Sequence, residues 1–105
     1  MREAARAAGM LVTADCGSAA EAIETVGSKR PDVCILDREL PGGALAAAAA
    51  IATPRRAPKV FVVGGRGSDA ERRAALLAGA TDYLPGEADG TRLAAALAAS
   101  RRRST

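Results

Sequence analysis

Histidine and tryptophan are absent from this 105-residue chain, and there are only one Phe and one Tyr. Without histidine, His-based catalytic triads and the common zinc sites are excluded. With so few aromatics the core must be aliphatic, and alanine, which buries far less area than leucine, supplies much of the 49% apolar content. Close helix packing and modest stability follow. Cys16 and Cys34 are the only cysteines and have no CxxC spacing, so two buried free thiols in a reducing compartment are expected. The longest apolar run, Ala44 to Ala52, is too short to span a bilayer. The N-terminal stretch carries Arg2, Glu3 and Arg6 and has no apolar signal core. These absences predict a soluble, cytoplasmic chain with no membrane partner. No nucleophile–base pair is visible, so the chain is not expected to be an enzyme.

The net charge is +3, which Arg101, Arg102 and Arg103 alone account for. This run is read as a solvated basic tail over residues 101–105. With no interleaved aromatics and no helix-turn-helix around it, nucleic acid is not an expected partner of this chain alone.

What is present is an alternation of short apolar runs with Ala-rich segments of helical spacing. Residues 2–8 read as a helix stub closed by Gly9, and Met10 to Ala14 as a strand. Ser18 with Glu21 has capping-box spacing, and Ala19, Ala22, Ile23 and Val26 give the following helix one apolar face. Gly27 and Pro31 are expected to end it. Val33 to Leu36 is a continuous apolar strand ending in Asp37, as suits the centre of a parallel sheet. After the turn Leu40 to Gly43, a helix runs from Ala44 to Thr53, stopped by Pro54 and Pro58. Val60 to Val63 is a third strand, followed by the Gly64-Gly65-Arg66-Gly67 loop, which lacks both the Walker lysine and the GxGxxG spacing of phosphate-cradling loops. Ser68 with Glu71 forms a second capping box, whose helix closes at Gly79. Thr81 to Leu84 is a last short strand, and Asp89 caps a helix to about Ser100. Alternating strands and helices imply one α/β domain over residues 1–100, with a parallel sheet covered by helices.

Two blocks carry a resemblance to a known family. Arg30-Pro31-Asp32-Val33-Cys34-Ile35-Leu36-Asp37-Arg38-Glu39-Leu40-Pro41-Gly42 resembles the phosphoacceptor strand and following turn of response-regulator receiver domains. Ala78-Gly79-Ala80-Thr81-Asp82-Tyr83-Leu84-Pro85 is similar to their fifth strand. The order and separation of the blocks also match. The resemblance implies a flavodoxin-like receiver fold, a role in two-component phosphorelay signalling, and a sensor histidine kinase or another signalling protein as partner. It implies Asp37 as the residue at the phosphoacceptor position. The family's hydroxyl residue falls at Gly64 and its lysine at Gly86, while Tyr83 matches an aromatic that changes rotamer on activation. The family's two Mg2+-binding acids follow a first strand that the resemblance finds no counterpart for here. Asp37 and the backbone of Glu39 then remain as a weak Mg2+ site, because Mg2+ wants near-octahedral oxygen geometry.

With that strand missing, four parallel strands are expected in the order 10–14, 33–36, 60–63, 81–84. Exposed strand edges and apolar helix faces favour a homodimer. Two further readings stand beside a working receiver: a phosphorylation-independent pseudo-receiver that acts as an interaction module, and a truncated response-regulator fragment.

Overall fold

The computed structural model describes residues 16–53, 58–64, 67–84 and 94–99. Within them the chain forms α1 (Ala19–Lys29), β1 (Val33–Asp37), α2 (Ala44–Ala52), β2 (Lys59–Val63), α3 (Asp69–Leu77), β3 (Asp82–Leu84) and a helix α4 over residues 94–99. The three strands make a parallel sheet in the order β1-β2-β3, as the sequence pattern predicts for these segments. The expected strand over residues 10–14, the basic tail, Gly86 and Asp89 lie outside the described residues.

The apolar runs in β1 and β2 reflect a sheet covered on both faces. Leu36, Val60, Val62 and Tyr83 face a core shared with Ala19 and Ala22 of α1, Ala44, Ala47, Ala48 and Ile51 of α2, and Ala75 of α3. Phe61 and Leu84 face the other way and pack with Leu97 of α4. In α2 the buried positions fall at i, i+3, i+4 and i+7, the single-sided helical pattern. In α1 the apolar face is narrower than its spacing predicts: Ala19 and Ala22 are buried, while Ile23 is exposed.

Helix ends show where local chemistry holds and where it shifts. The Ser68–Glu71 capping box is complete. At α1, Ser18 Oγ accepts from the Glu21 N–H, but the Glu21 carboxylate accepts from Gly17 rather than from Ser18. Gly27 does not stop α1. The helix runs on to Lys29 and closes at Arg30, which takes a left-handed conformation with φ 47°. Pro31 stops the helix there, because a residue before proline is disfavoured in the right-handed helical region, and a left-handed residue is a common way to close a helix C-terminus.

The C-terminus of α3 is a Schellman motif: Gly79 N–H donates to Leu76 O and Ala80 N–H to Ala75 O, both at 3.0 Å. Gly79 has φ +110°, and a Cβ there would lie 2.7 Å from the Ala52 Cβ of α2. Both the turn and the helix–helix approach therefore require glycine. Gly79→Ala is expected to lower unfolding free energy by about 1–3 kcal/mol, read from urea unfolding.

Candidate functional site

Parallel pairing sets the C-terminal ends of all three strands in one row. Asp37 stands opposite Val63, and Val63 opposite Leu84. The ladder continues one step beyond: Arg38 N–H donates to Val63 O at 2.6 Å, and Gly64 N–H to Leu84 O at 3.0 Å. Open α/β sheets bind ligands at this edge.

Asp37 is exposed here, and its Oδ1 accepts the Glu39 N–H at 2.8 Å. This is an Asx turn, reinforced by Leu40 N–H donating to Asp37 O at 2.9 Å. The turn is tied to α1 through Ala19 N–H, which donates to Pro41 O at 2.8 Å. The Asp37 carboxylate is thus held by local backbone, open to solvent.

Gly64 follows β2 immediately beside it. A Cβ built on Gly64 would sit 3.5 Å from Asp37 Oδ1 and 3.2 Å from the Arg38 Cβ, and the residue has φ +106°. A side chain here would meet Arg38 and would have to adopt a backbone conformation that L-residues rarely take.

Tyr83 belongs to the sheet's other concern, the core. It is 1% exposed, and its hydroxyl accepts the Gly67 N–H at 3.2 Å. The Tyr83 N–H donates to Asp82 Oδ1 at 2.8 Å, and the same oxygen receives Arg72 Nη1 at 3.1 Å. The Arg72 guanidinium lies 5.8 Å from the Tyr83 ring centroid.

These placements bear on Mg2+. Asp37 and the Glu39 carbonyl could supply two ligands. Among the described residues no group of three or more His, Cys, Asp or Glu side chains is arranged to hold a metal ion. With Asp37 and the Glu39 carbonyl as the donors, most of an octahedral Mg2+ shell would fall to water, which makes a weak site.

Residues 1–98 match the response regulator receiver domain family. The chain belongs to that family. Solved structures agree on its fold. The signal receiver domain of NarL from Mycobacterium tuberculosis is 24% identical with a TM-score of 0.82, the match covering 96% of this chain and 86% of that one. A LuxR-family two-component response regulator from Aurantimonas sp. SI85-9A1 is 27% identical with a TM-score of 0.82, over 90% of this chain and 69% of that one. The receiver domain of NtrX from Brucella abortus is 23% identical with a TM-score of 0.76, over 98% of this chain and 88% of that one. Among curated proteins none matches the chain. The flavodoxin-like receiver fold and the place in two-component signalling read from the two sequence blocks therefore hold.

Within this receiver domain, the positions that the resemblance assigned to Asp37 and Gly64 lie side by side at the sheet edge. Sequence reading passed over Arg72, Asp82 and Gly67. Arg72 and Asp82 are ten residues apart on different elements, so no helical or strand spacing links them. Only the return of α3 along β3 does. Among the described residues no helix is long and apolar enough to cross a membrane.

Beneath the site, Cys34 packs against the core from β1. Burial, and secondarily Cys16, push its thiol up from 9.0 to about 11. The folded state therefore disfavours the thiolate. Stability from this group is fully present below pH 9 and is lost as pH rises from 9 towards 11. The slope approaches about 1.4 kcal/mol per pH unit. Urea unfolding from pH 7.5 upward is expected to show this decline, with a shallower one in Cys34→Ala.

Proposed function

We propose that this receiver domain carries Asp37 at its phosphoacceptor position and takes a phosphoryl group from a histidine kinase or a small phosphodonor only weakly. The observation that carries the reading is the closeness of Gly64 to the Asp37 carboxylate at the β1–β2 edge. An exposed carboxylate at the ligand-binding edge gives an incoming phosphoryl group a place to land. Phosphoryl transfer is mostly positioning and charge neutralisation; among the described residues, Gly64 brings no hydroxyl to position the group, and any Mg2+ held by Asp37 and Glu39 alone would be weak. The family's lysine position is Gly86 in this sequence. Electrostatic stabilisers of this kind are each worth on the order of 10² or more in rate. In this reading the chain acts as a signalling module in the cytoplasm rather than as an enzyme.

The second reading, a phosphorylation-independent pseudo-receiver, is favoured by the Gly64 backbone. At φ +106° the loss of the hydroxyl is accompanied by a conformation suited to glycine, not by a vacant side-chain slot.

Incubation with acetyl phosphate and Mg2+ is expected to give little or no adduct by intact-mass spectrometry, with Asp37→Ala as the blank. A stoichiometric adduct absent from Asp37→Ala would overturn weak competence while supporting the phosphoacceptor position.

A homodimer is proposed on the α3 face. Leu77 is 82% exposed and Leu76 45% exposed. Both border a shallow cleft of about 380 Å³ with Asp69, Arg72 and Arg73. Exposed adjacent leucines with flanking charges of both signs favour association. Sedimentation across the micromolar range is expected to show dimer, reduced in Leu77→Lys; a clean monomer throughout contradicts the proposal.

A further inference from the structure

We infer that Arg72 is a positioning residue that fixes Tyr83 inward, so that Tyr83 serves as a strut rather than a moving switch. The inference does not rest on whether Asp37 accepts phosphate.

Three contacts from three different parts of the chain converge on this tyrosine. Gly67, in the segment leading into α3, donates its N–H to the hydroxyl at 3.2 Å. Arg72, in the first turns of α3, places its guanidinium 5.8 Å from the ring centroid. Asp82, the neighbouring residue of β3, joins the two, since its Oδ1 accepts both Arg72 Nη1 at 3.1 Å and the Tyr83 N–H at 2.8 Å. One carboxylate oxygen thus fixes the arginine and the tyrosine backbone together. Arg72 and Asp82 side chains are 45% and 40% exposed, whereas the ring beneath them is 1% exposed.

The arrangement has a consequence for the sheet edge. Gly67 stands three residues after Gly64, which lies against Asp37. Holding the Tyr83 hydroxyl on Gly67 therefore tethers the far end of this loop to β3. An outward rotamer would break the hydroxyl contact and the cation–π contact at once. Each contact is individually small at a half-exposed site, but both act on the same rotamer equilibrium.

The chain offers an unusually clean test, because Tyr83 is the only tyrosine and there is no tryptophan. Intrinsic fluorescence therefore reports one side chain. In the full chain, acrylamide should quench Tyr83 far less than free tyrosine. Arg72→Met, which keeps an apolar stem and removes the guanidinium, should shift the rotamer equilibrium outward about threefold, read as a steeper quenching slope and weaker near-UV circular dichroism while far-UV dichroism stays native. Arg72→Lys keeps the charge without the planar fork and should fall between the two. Beryllofluoride with Mg2+ should leave wild-type quenching unchanged. Quenching of the wild type at the free-tyrosine level overturns the inference, as does a protective effect of beryllofluoride. Wild-type quenching in a natively folded Arg72→Met also overturns it. If Arg72→Met fails to fold, Arg72→Lys decides: quenching equal to wild type counts against a positioning role, and increased quenching with native far-UV dichroism supports it.

Discussion

The five-residue parallel register of Val33–Asp37 against Lys59–Val63 is the constraint on which the rest of the site depends. It sets Asp37 opposite Val63, and the bond from Arg38 N–H to Val63 O carries the same registration one residue past the strand. Gly64 is thereby delivered to the Asp37 carboxylate. Because side chains alternate along a strand, a slip of one residue would move Leu36 out of the core and turn Asp37 into it. The apolar demands on both faces of β1 and β2 oppose that slip: Leu36, Val60 and Val62 fill one core, while Phe61 fills the other. Position at the edge is thus a by-product of packing in the middle.

Architecture and chemistry are separable at this edge. Hydrogen bonds from backbone N–H groups place Asp37, Glu39 and Gly64. A receiver site needs charge as well as place, since the group it accepts is itself anionic and approaches a carboxylate. The ladder and the Asx turn can therefore be kept whatever side chains the neighbouring positions carry, and it is the side chains that would lower a transfer barrier. Thr81 shows the same economy of backbone. Its N–H donates to Val60 O at 2.7 Å and its hydroxyl accepts the Val60 N–H at 3.1 Å, so β3 is aligned before it formally begins.

What could be read from the sequence was whatever rests on local chemistry. Ser68 with Glu71 predicted a capping box because the reciprocal bonds lie within one turn. Gly79 announced a helix end because the left-handed residue of a Schellman motif is usually glycine. Asp37 and Gly64 could be paired only through the family resemblance, since they lie on different strands. Spacing failed where neighbours compete. Glu21 turned to Gly17 instead of Ser18, and α1 ran past Gly27, because a single interior glycine costs only about 1 kcal/mol and the stronger stop is Pro31. The Arg72–Asp82–Tyr83 group was illegible for a different reason. Its geometry exists only after α3 has packed along β3, and the residues of α3 and β3 carry no shared period.

The scarcity of aromatics and the burial of Tyr83 are one physical fact. The chain has a single Phe and a single Tyr, and the sheet has two faces to fill. Phe61 serves the face covered by α4, and Tyr83 the face covered by α1, α2 and α3. Around Tyr83 the helices contribute mainly alanine: Ala44, Ala47, Ala48 and Ala75 are all buried. Alanine methyls cannot extend into a space that a ring vacates, so an outward tyrosine would leave a cavity in the core. Truncating a buried aromatic typically costs about 3–5 kcal/mol, and an outward rotamer forfeits much of the same packing. A receiver with a second aromatic on that face could offset the loss by repacking; among the described residues this one has Leu36, Ile51, Val60 and Val62 as its other bulky, buried side chains there. The light core foreseen from composition therefore works in the same direction as the Arg72 and Gly67 contacts on this tyrosine.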